Sequence, residues 1–600
     1  MYFTLAVSAA SREVCAALTG TALDADPRIM PIPGPARVAW RAADERAAVL
    51  YWGGGPVHGS GGSGSPGGSG PPGRSGSPGG SGSAASHAGT IWAGPTGLRA
   101  RTGLARVDPV YLAEAPGAVV VCDRASWAAA VTGRLRDHDP VMIAAFLGLG
   151  YPVGAATPFR RVRALGPARA LAVAGGRLVV TPAGEIGDSA PRADPAADIP
   201  FPSGDGASDL VAAALLDTVR PLRGVPVELS LTGGKDSRLI AAALTAARVP
   251  FRARTHGVAD HPDVIVAGMI ADKLGVEHVF TEPRPPGSHD EAELLGRLRA
   301  TVLVSDGMLS AFENVGSPDP DATAEPVQSG GHGGELLRGG YAQAAWRSPP
   351  PVGARSGGGA ARGGARSGAG ATRGGARSAA AGALSAAAGA ELFRRLTTRR
   401  LGLLHPAAAG AYLAGLAPCA AALRRGPLHA LDDFYLVNRA GRWSAAARQA
   451  YLLRSPLVQP FFSDRVVAAA RAVPLPDRMT DRLHCHVLTA LCPELLDIPL
   501  AGGAWKCEQG TPRAGLPQRA GRSVPDWRRD CGAEMARFLL EYALDLGAAG
   551  GLFGVVRRRA AERVLRSPQS DPHAVWALAT LAALVSGDWL NARTPAPAGG

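Results

Sequence analysis

A six-residue run, Thr232-Gly233-Gly234-Lys235-Asp236-Ser237, holds the residue types best suited to chemistry in this chain. It follows an apolar β-branched stretch, Val225–Leu231, and precedes the helical pattern RLIAAALTAA. Two glycines let a backbone turn tightly and approach a ligand closely. A helix beginning there presents unpaired N–H groups and the positive end of its dipole, which suits a phosphate. Asp236 conflicts in charge with a phosphate unless a divalent cation such as Mg²⁺ bridges the two. The spacing is not that of the GxxxxGK[ST] loop. The plainer alternative is a strand-to-helix turn in which Asp236 or Ser237 caps the helix.

Three more stretches share this mix of glycine, charge and histidine. Residues 255–278 read THGVADHPDVIVAGMIADKLGVEH, residues 329–341 read SGGHGGELLRGGY, and residues 497–508 read DIPLAGGAWKCE. A fifth, LDDFYLVNRAGRW at 431–443, places Asp432, Asp433, Arg439 and Arg442 on one helix, where a solvated face with i,i+4-type pairs is the expected reading.

The elements that must position these residues follow from the surrounding pattern. From about residue 208 helix and strand alternate. The expected order is helix Leu210–Leu222, strand Val225–Leu231, helix Asp236–Ala247 (amphipathic), strand Phe251–Thr255, helix Pro262–Leu274 and strand Glu277–Phe280. Such alternation predicts a parallel sheet with helices on both faces. Residues 391–595 read as mainly helical, broken at Pro456, Pro460, Pro474, Pro476, Pro493 and Pro499. Residues 1–200 hold short strand-like runs such as Ala118–Cys122 and Arg177–Thr181, with helical segments near 123–136 and 140–149.

Together these features resemble the asparagine synthetase family, which includes β-lactam synthetases and lasso-peptide macrolactam cyclases. The run at 232–237 resembles the S-G-G-x-D-S loop of ATP pyrophosphatases, with Thr232 keeping the hydroxyl of the usual serine. The resemblance implies an α/β ATP-pyrophosphatase domain (adenine nucleotide α-hydrolase-like, a parallel sheet with a helical C-terminal part) over 208–595. It implies ATP as cofactor, bound through Ser230, Leu231, Thr232, Gly233, Gly234, Lys235, Asp236, Ser237, Thr255, Gly257 and Gly330, with Mg²⁺ on Asp236. Asp263, Ala267, Ala271, Leu274 and Gly275 fit the family's D-x-x-x-A-x-x-x-A-x-x-L-G segment, and His278 follows it.

The second glycine motif departs from the family's S-G-x-G-x-D-E-x-x-G-G-Y. The second metal-binding acid falls on Gly334, although Glu335 remains, and the position of a catalytic Glu or Tyr falls on Gly331. One extra residue, Arg338, precedes Gly-Gly-Tyr. On this resemblance Glu335 takes the metal role and His332 is either a base or a solvent-facing loop histidine. Lys506 matches the lysine that stabilises charge on the adenylate and departing pyrophosphate.

Residues 1–200 resemble the family's class II amidotransferase domain, an α+β Ntn-hydrolase-like sandwich. Its active form needs an N-terminal cysteine, and here Tyr2 follows Met1, so that domain is expected to be inactive and glutamine not to be the nitrogen source. The implied reaction is adenylation of a substrate carboxylate and transfer to an amine on a small molecule or peptide, including lactam or macrolactam closure. A non-catalytic ATP-binding scaffold and an RNA-modifying ATP pyrophosphatase are the alternatives.

Composition narrows the remaining choices. Lys+Arg 63 against Asp+Glu 50 gives +13, which invites a nucleic-acid reading. Six of those arginines lie in the Gly/Ala/Ser/Arg stretch 347–390, and without them the charge falls to +7. That stretch and the Gly/Ser/Pro run 53–86 lack hydrophobic periodicity and are expected to be flexible insertions. The seven cysteines form no CxxC pair, so buried thiols in a reducing cytoplasm are expected instead of a disulfide framework or zinc site. The best membrane candidate, Ala574–Val585, is too short to span a bilayer, and a buried helix is expected there.

Overall fold

The computed structural model describes residues 3–9, 39–42, 47–52, 90–94, 97–115, 118–174, 177–182, 205–283, 289–313, 326–347, 387–452, 454–502, 505 and 526–591. The run 53–86 lies outside them, as does most of 347–390, although residues 387–390 already begin a helix.

The N-terminal part is antiparallel. Its strands are β1 (Phe3–Ala9), β2 (Ala39–Ala42), β3 (Ala47–Trp52), β4 (Thr90–Gly94), β5 (Gly97–Arg101), β6 (Tyr111–Ala115), β7 (Ala118–Cys122), β8 (Val162–Ala164), β9 (Arg169–Ala174) and β10 (Arg177–Pro182). They form a six-stranded sheet, β2-β3-β1-β7-β6-β8, and a four-stranded sheet, β10-β9-β5-β4. Successive side chains on a strand point to opposite faces, and β6 and β7 use both faces. Leu112, Val119 and Val121 join Ala100, Leu171 and Leu178 of the other sheet in a small shared core. Tyr111, Ala113, Val120 and Cys122 face the other way, toward Trp127, Phe146 and Trp576 of the helical layer.

The third sheet is parallel throughout: β11 (Val227–Ser230), β12 (Phe251–His256), β13 (His278–Thr281), β14 (Val327–Gly330) and β15 (Leu457–Val458), in the order β13-β12-β11-β14-β15. The chain steps from β11 outward to β13, then returns to lay β14 on the opposite side of β11. The strand order therefore reverses between β11 and β14, the place where open α/β sheets form a crevice at their carboxyl ends. Leu229, Leu231, Leu239, Ile240, Val266 and Ile270 build the core of this layer.

The helix after β11, Lys235–Ala246, is buried from Ser237 through Leu244. The expectation of an amphipathic helix is thus corrected: it lies in the interior, between the helices Asp205–Val219 and Arg482–Leu491. Helix Pro572–Ser586 is capped by Asp571 and ends at Gly587 in the left-handed region. Ala574–Val585 are all buried, as their almost wholly apolar composition requires, and Thr580 satisfies its hydroxyl on the Trp576 carbonyl. Among the described residues no single helix is long and apolar enough to cross a membrane; Pro406–Gly415 and Ala417–Arg425 reach that length only as a pair bent by 48°.

One further expectation is overturned, and that of free thiols fails at Cys485 alone among the described cysteines. Asp432 and Arg442 are not on a solvated face. Asp432 is buried against Arg478, with Nη2–Oδ2 at 2.6 Å, and the buried Arg442 donates to the Ala156 carbonyl. Arg442 lies in a ten-residue π-helical stretch, Tyr435–Ser444, whose faces α-helical spacing does not describe, whereas Asp432 precedes it in the α-helix Pro427–Phe434. Cys485 is disulfide-bonded, while Cys122, Cys419, Cys492 and Cys531 are free thiols. Pairing depends on the approach of two Cα atoms in space, which sequence spacing does not reveal.

Candidate functional site

The first glycine loop is held in shape by its own hydroxyls. Ser237 Oγ accepts from the Thr232 N–H at 3.1 Å, and Thr232 Oγ1 accepts from the Gly234 N–H at 3.2 Å. Asp263, from the start of helix Pro262–Leu274, accepts from the Gly233 N–H at 3.0 Å. A Cβ on Gly233 would come within 2.9 Å of Val266 and collide with Ala501, so the close packing requires glycine. The helix cap is Gly234, with no side-chain capping bond, so neither Asp236 nor Ser237 serves as the cap. The dipole end of the helix opens toward the crevice without a capping acid.

The second glycine loop leaves β14 beside the first. Ser230 pairs with Gly330 in the parallel register, which places both loops at the carboxyl ends of adjacent strands. A Cβ on Gly331 would lie 2.6 Å from the Ser237 nitrogen, and one on Gly334 would collide with the Asp236 carboxylate. Gly333 and Gly339 have φ of 92° and 78°, which only glycine adopts without strain. Glycine at positions 331 and 334 thus has a local cause, since the two loops touch there.

Charge at this junction is paired within the protein. Asp236 Oδ1 accepts from Nε2 of His484 at 2.9 Å, and Oδ2 accepts from Nη2 of Arg338 at 2.6 Å. Burial by itself would push the Asp236 carboxyl up; the His484 hydrogen bond and the Arg338 guanidinium outweigh it and hold the group below the ordinary range. His484 is 0% exposed, so its N–H has no solvent alternative. Burial opposes the charge on Arg338, but Asp236 and Glu335 overcome it and raise its pKa. Lys235 forms an ion pair with the buried Asp481 and lies 5.7 Å from the ring centre of Trp505.

The other expected site residues fall around this junction. Thr255 Oγ1 donates to the Leu231 carbonyl at 2.8 Å and lies 2.8 Å from Nε2 of His278, so it ties the end of β12 to the loop. Gly257 packs where a Cβ would come within 2.9 Å of Val264. Glu335 is exposed and hydrogen-bonds Tyr435, whose pKa rises first from burial and then from that carboxylate. His332 is exposed on the loop, in a recess whose crowding lowers its pKa; Glu335 opposes that shift and Arg439 adds to it. Lys506 lies outside the described residues. Its neighbour Trp505 is in place, and the Ala501 N–H donates to the Gly233 carbonyl at 3.1 Å, so the preceding segment docks on the first glycine loop.

Arg338, His484, Asp481 and Trp505 were not foreseen as site residues. Arg338 left a sequence signal as the extra residue in the second motif, and Trp505 lies inside the 497–508 stretch; His484 and Asp481 sit on segments with no motif of their own.

A divalent ion shared by Asp236 and Glu335 does not fit this arrangement. Asp236 already carries the Arg338 guanidinium on one oxygen and the His484 N–H on the other, so a cation there would meet a fixed positive charge, and Glu335 is engaged with Tyr435. Among the described residues no group of three or more His, Cys, Asp or Glu side chains is placed to hold a metal ion.

No family profile matches the chain, and no curated protein matches it.

Proposed function

We propose that this chain is an ATP-dependent synthetase that forms an amide bond with release of AMP. A substrate carboxylate oxygen attacks the α-phosphorus of ATP, the bond to the β-phosphoryl oxygen breaks, and pyrophosphate leaves. An amine nitrogen then attacks the acyl carbon, the acyl–phosphate bond breaks, and AMP departs.

One observation supports this reading above the rest: two glycine loops flank the strand-order reversal between adjacent parallel strands β11 and β14, with an uncapped helix N-terminus between them. Crevices of this kind accept nucleotide phosphates. In this reading the loop Ser230–Ser237 and Gly330 hold the pyrophosphate part of ATP, with the adenine toward Thr255 and Gly257. Lys506 stabilises the charge on the leaving pyrophosphate. His332, on the second loop, accepts the proton released by the amine. Holding acid and amine in one crevice supplies effective molarity worth roughly 7–11 kcal/mol of barrier.

The test is product analysis with ATP and a panel of amino acids, dicarboxylic acids and peptides. The expected products are AMP and pyrophosphate. Formation of ADP and phosphate would overturn the reading, and tight ATP binding with no turnover on any acid would favour a non-catalytic nucleotide-binding protein. RNA as the acceptor has no supporting contact among the described residues.

A further inference from the structure

Magnesium ordinarily joins a carboxylate to nucleotide phosphates, and Asp236 is the carboxylate the first glycine loop offers. Each of its oxygens already accepts one donor, so an ion ligated there would either sit against the Arg338 guanidinium or displace one of the two donors. Releasing His484 strands a fully buried N–H, which is costly. Releasing Arg338 while the ion enters sets a guanidinium beside a divalent cation. A second acid at position 334 is excluded by Asp236 itself.

Arg338 already has the attributes such a bridge needs. Its Nη2 holds Asp236, its Nη1 reaches Gln343 at 3.4 Å, and its buried Nε has no acceptor among the described residues. A guanidinium carries five donors and keeps its charge at any relevant pH. It can hold a carboxylate on one edge and still donate to a phosphate oxygen.

We propose that Arg338 is the resident cation of this site and that it, instead of an ion on Asp236, links the first glycine loop to the nucleotide's phosphates. Nucleotide binding therefore needs no divalent metal. The proposal rests on the nucleotide reading given above.

Equilibrium dialysis of the full chain with labelled ATP, in Mg²⁺ and in EDTA, tests it. Affinities within about threefold of each other are expected, as is a loss of at least about tenfold in EDTA for Arg338→Met, with Arg338→Lys retaining part of the binding. Binding only in Mg²⁺ would overturn the role of Arg338 and leave the nucleotide reading standing. Binding in neither buffer would overturn both. Mn²⁺ titration without nucleotide, followed by electron paramagnetic resonance, adds a separate readout. Wild type is expected to bind no Mn²⁺ at this site, and an Mn²⁺ signal abolished by Asp236→Asn would refute the proposal. Should Arg338→Met fail to fold, the two wild-type measurements decide the matter.

Discussion

Gly334 and Asp236 touch: a Cβ on the glycine would occupy the space of the Asp236 carboxylate. Two loops about a hundred residues apart in sequence are thereby locked together. Replacing Gly334 by alanine should force one of them to move, at a cost of about 1–3 kcal/mol. Urea unfolding of Gly334→Ala measures it, and an unchanged midpoint would show that the junction yields freely.

Asp432 and Arg478 form an ion pair with both side chains 4% exposed. Removing Arg478 leaves the buried Asp432 facing a half-exposed guanidinium, Arg471, at 3.8 Å, and breaking a buried pair in this way typically costs about 3–5 kcal/mol. Arg478→Ala should lose about that much stability in urea. The double variant Asp432→Leu/Arg478→Met should be less damaged than Arg478→Ala, because neither charge is then stranded. The opposite ranking would mean that solvent reaches the site.

Asp236 sets an acid limit. Its pKa is depressed in the folded chain, so its contribution is fully present above the ordinary aspartate value of 3.8 and is lost as pH falls through the lower folded value. The wild type should therefore lose thermal stability more steeply than Asp236→Asn below about pH 4. Parallel slopes for the two proteins would show that Asp236 is not the group responsible.

Lys506, on the proposed reaction, acts on charge that develops only as pyrophosphate departs. Lys506→Ala should lower ATP–pyrophosphate exchange by roughly 10²–10³ while ATP binding by dialysis changes little. An equal loss in both would reassign the lysine to ground-state binding.

Local elements were largely legible in advance. Helix Pro262–Leu274 keeps its expected bounds because it carries its own signals: Pro262 in the first turn, and Gly275 at φ 66° after the last. Strand β11 begins later than expected, at Val227, because the Val225 N–H turns back to the Leu222 carbonyl and Pro226 has no N–H to pair. The faces of segment 431–443 were not legible: Arg442 lies in a π-helical stretch that no α-helical spacing rule anticipates, and Asp432 is buried by its pairing with Arg478 from a distant helix.

By itself the sequence determined the alternation of strand and helix, the two glycine loops and the buried character of helix Pro572–Ser586. Each of these depends on residues within a few positions of one another. Only the tertiary structure decided that β14 lies beside β11, and with it every charge pair of the candidate site. Arg338, His484 and Asp481 are separated from their loop partners by 102, 248 and 246 residues. Which charges meet across such distances is set by strand order and helix packing. Asp236 therefore reads in sequence as a ligand awaiting a metal, and in the fold it is a carboxylate already neutralised by protein.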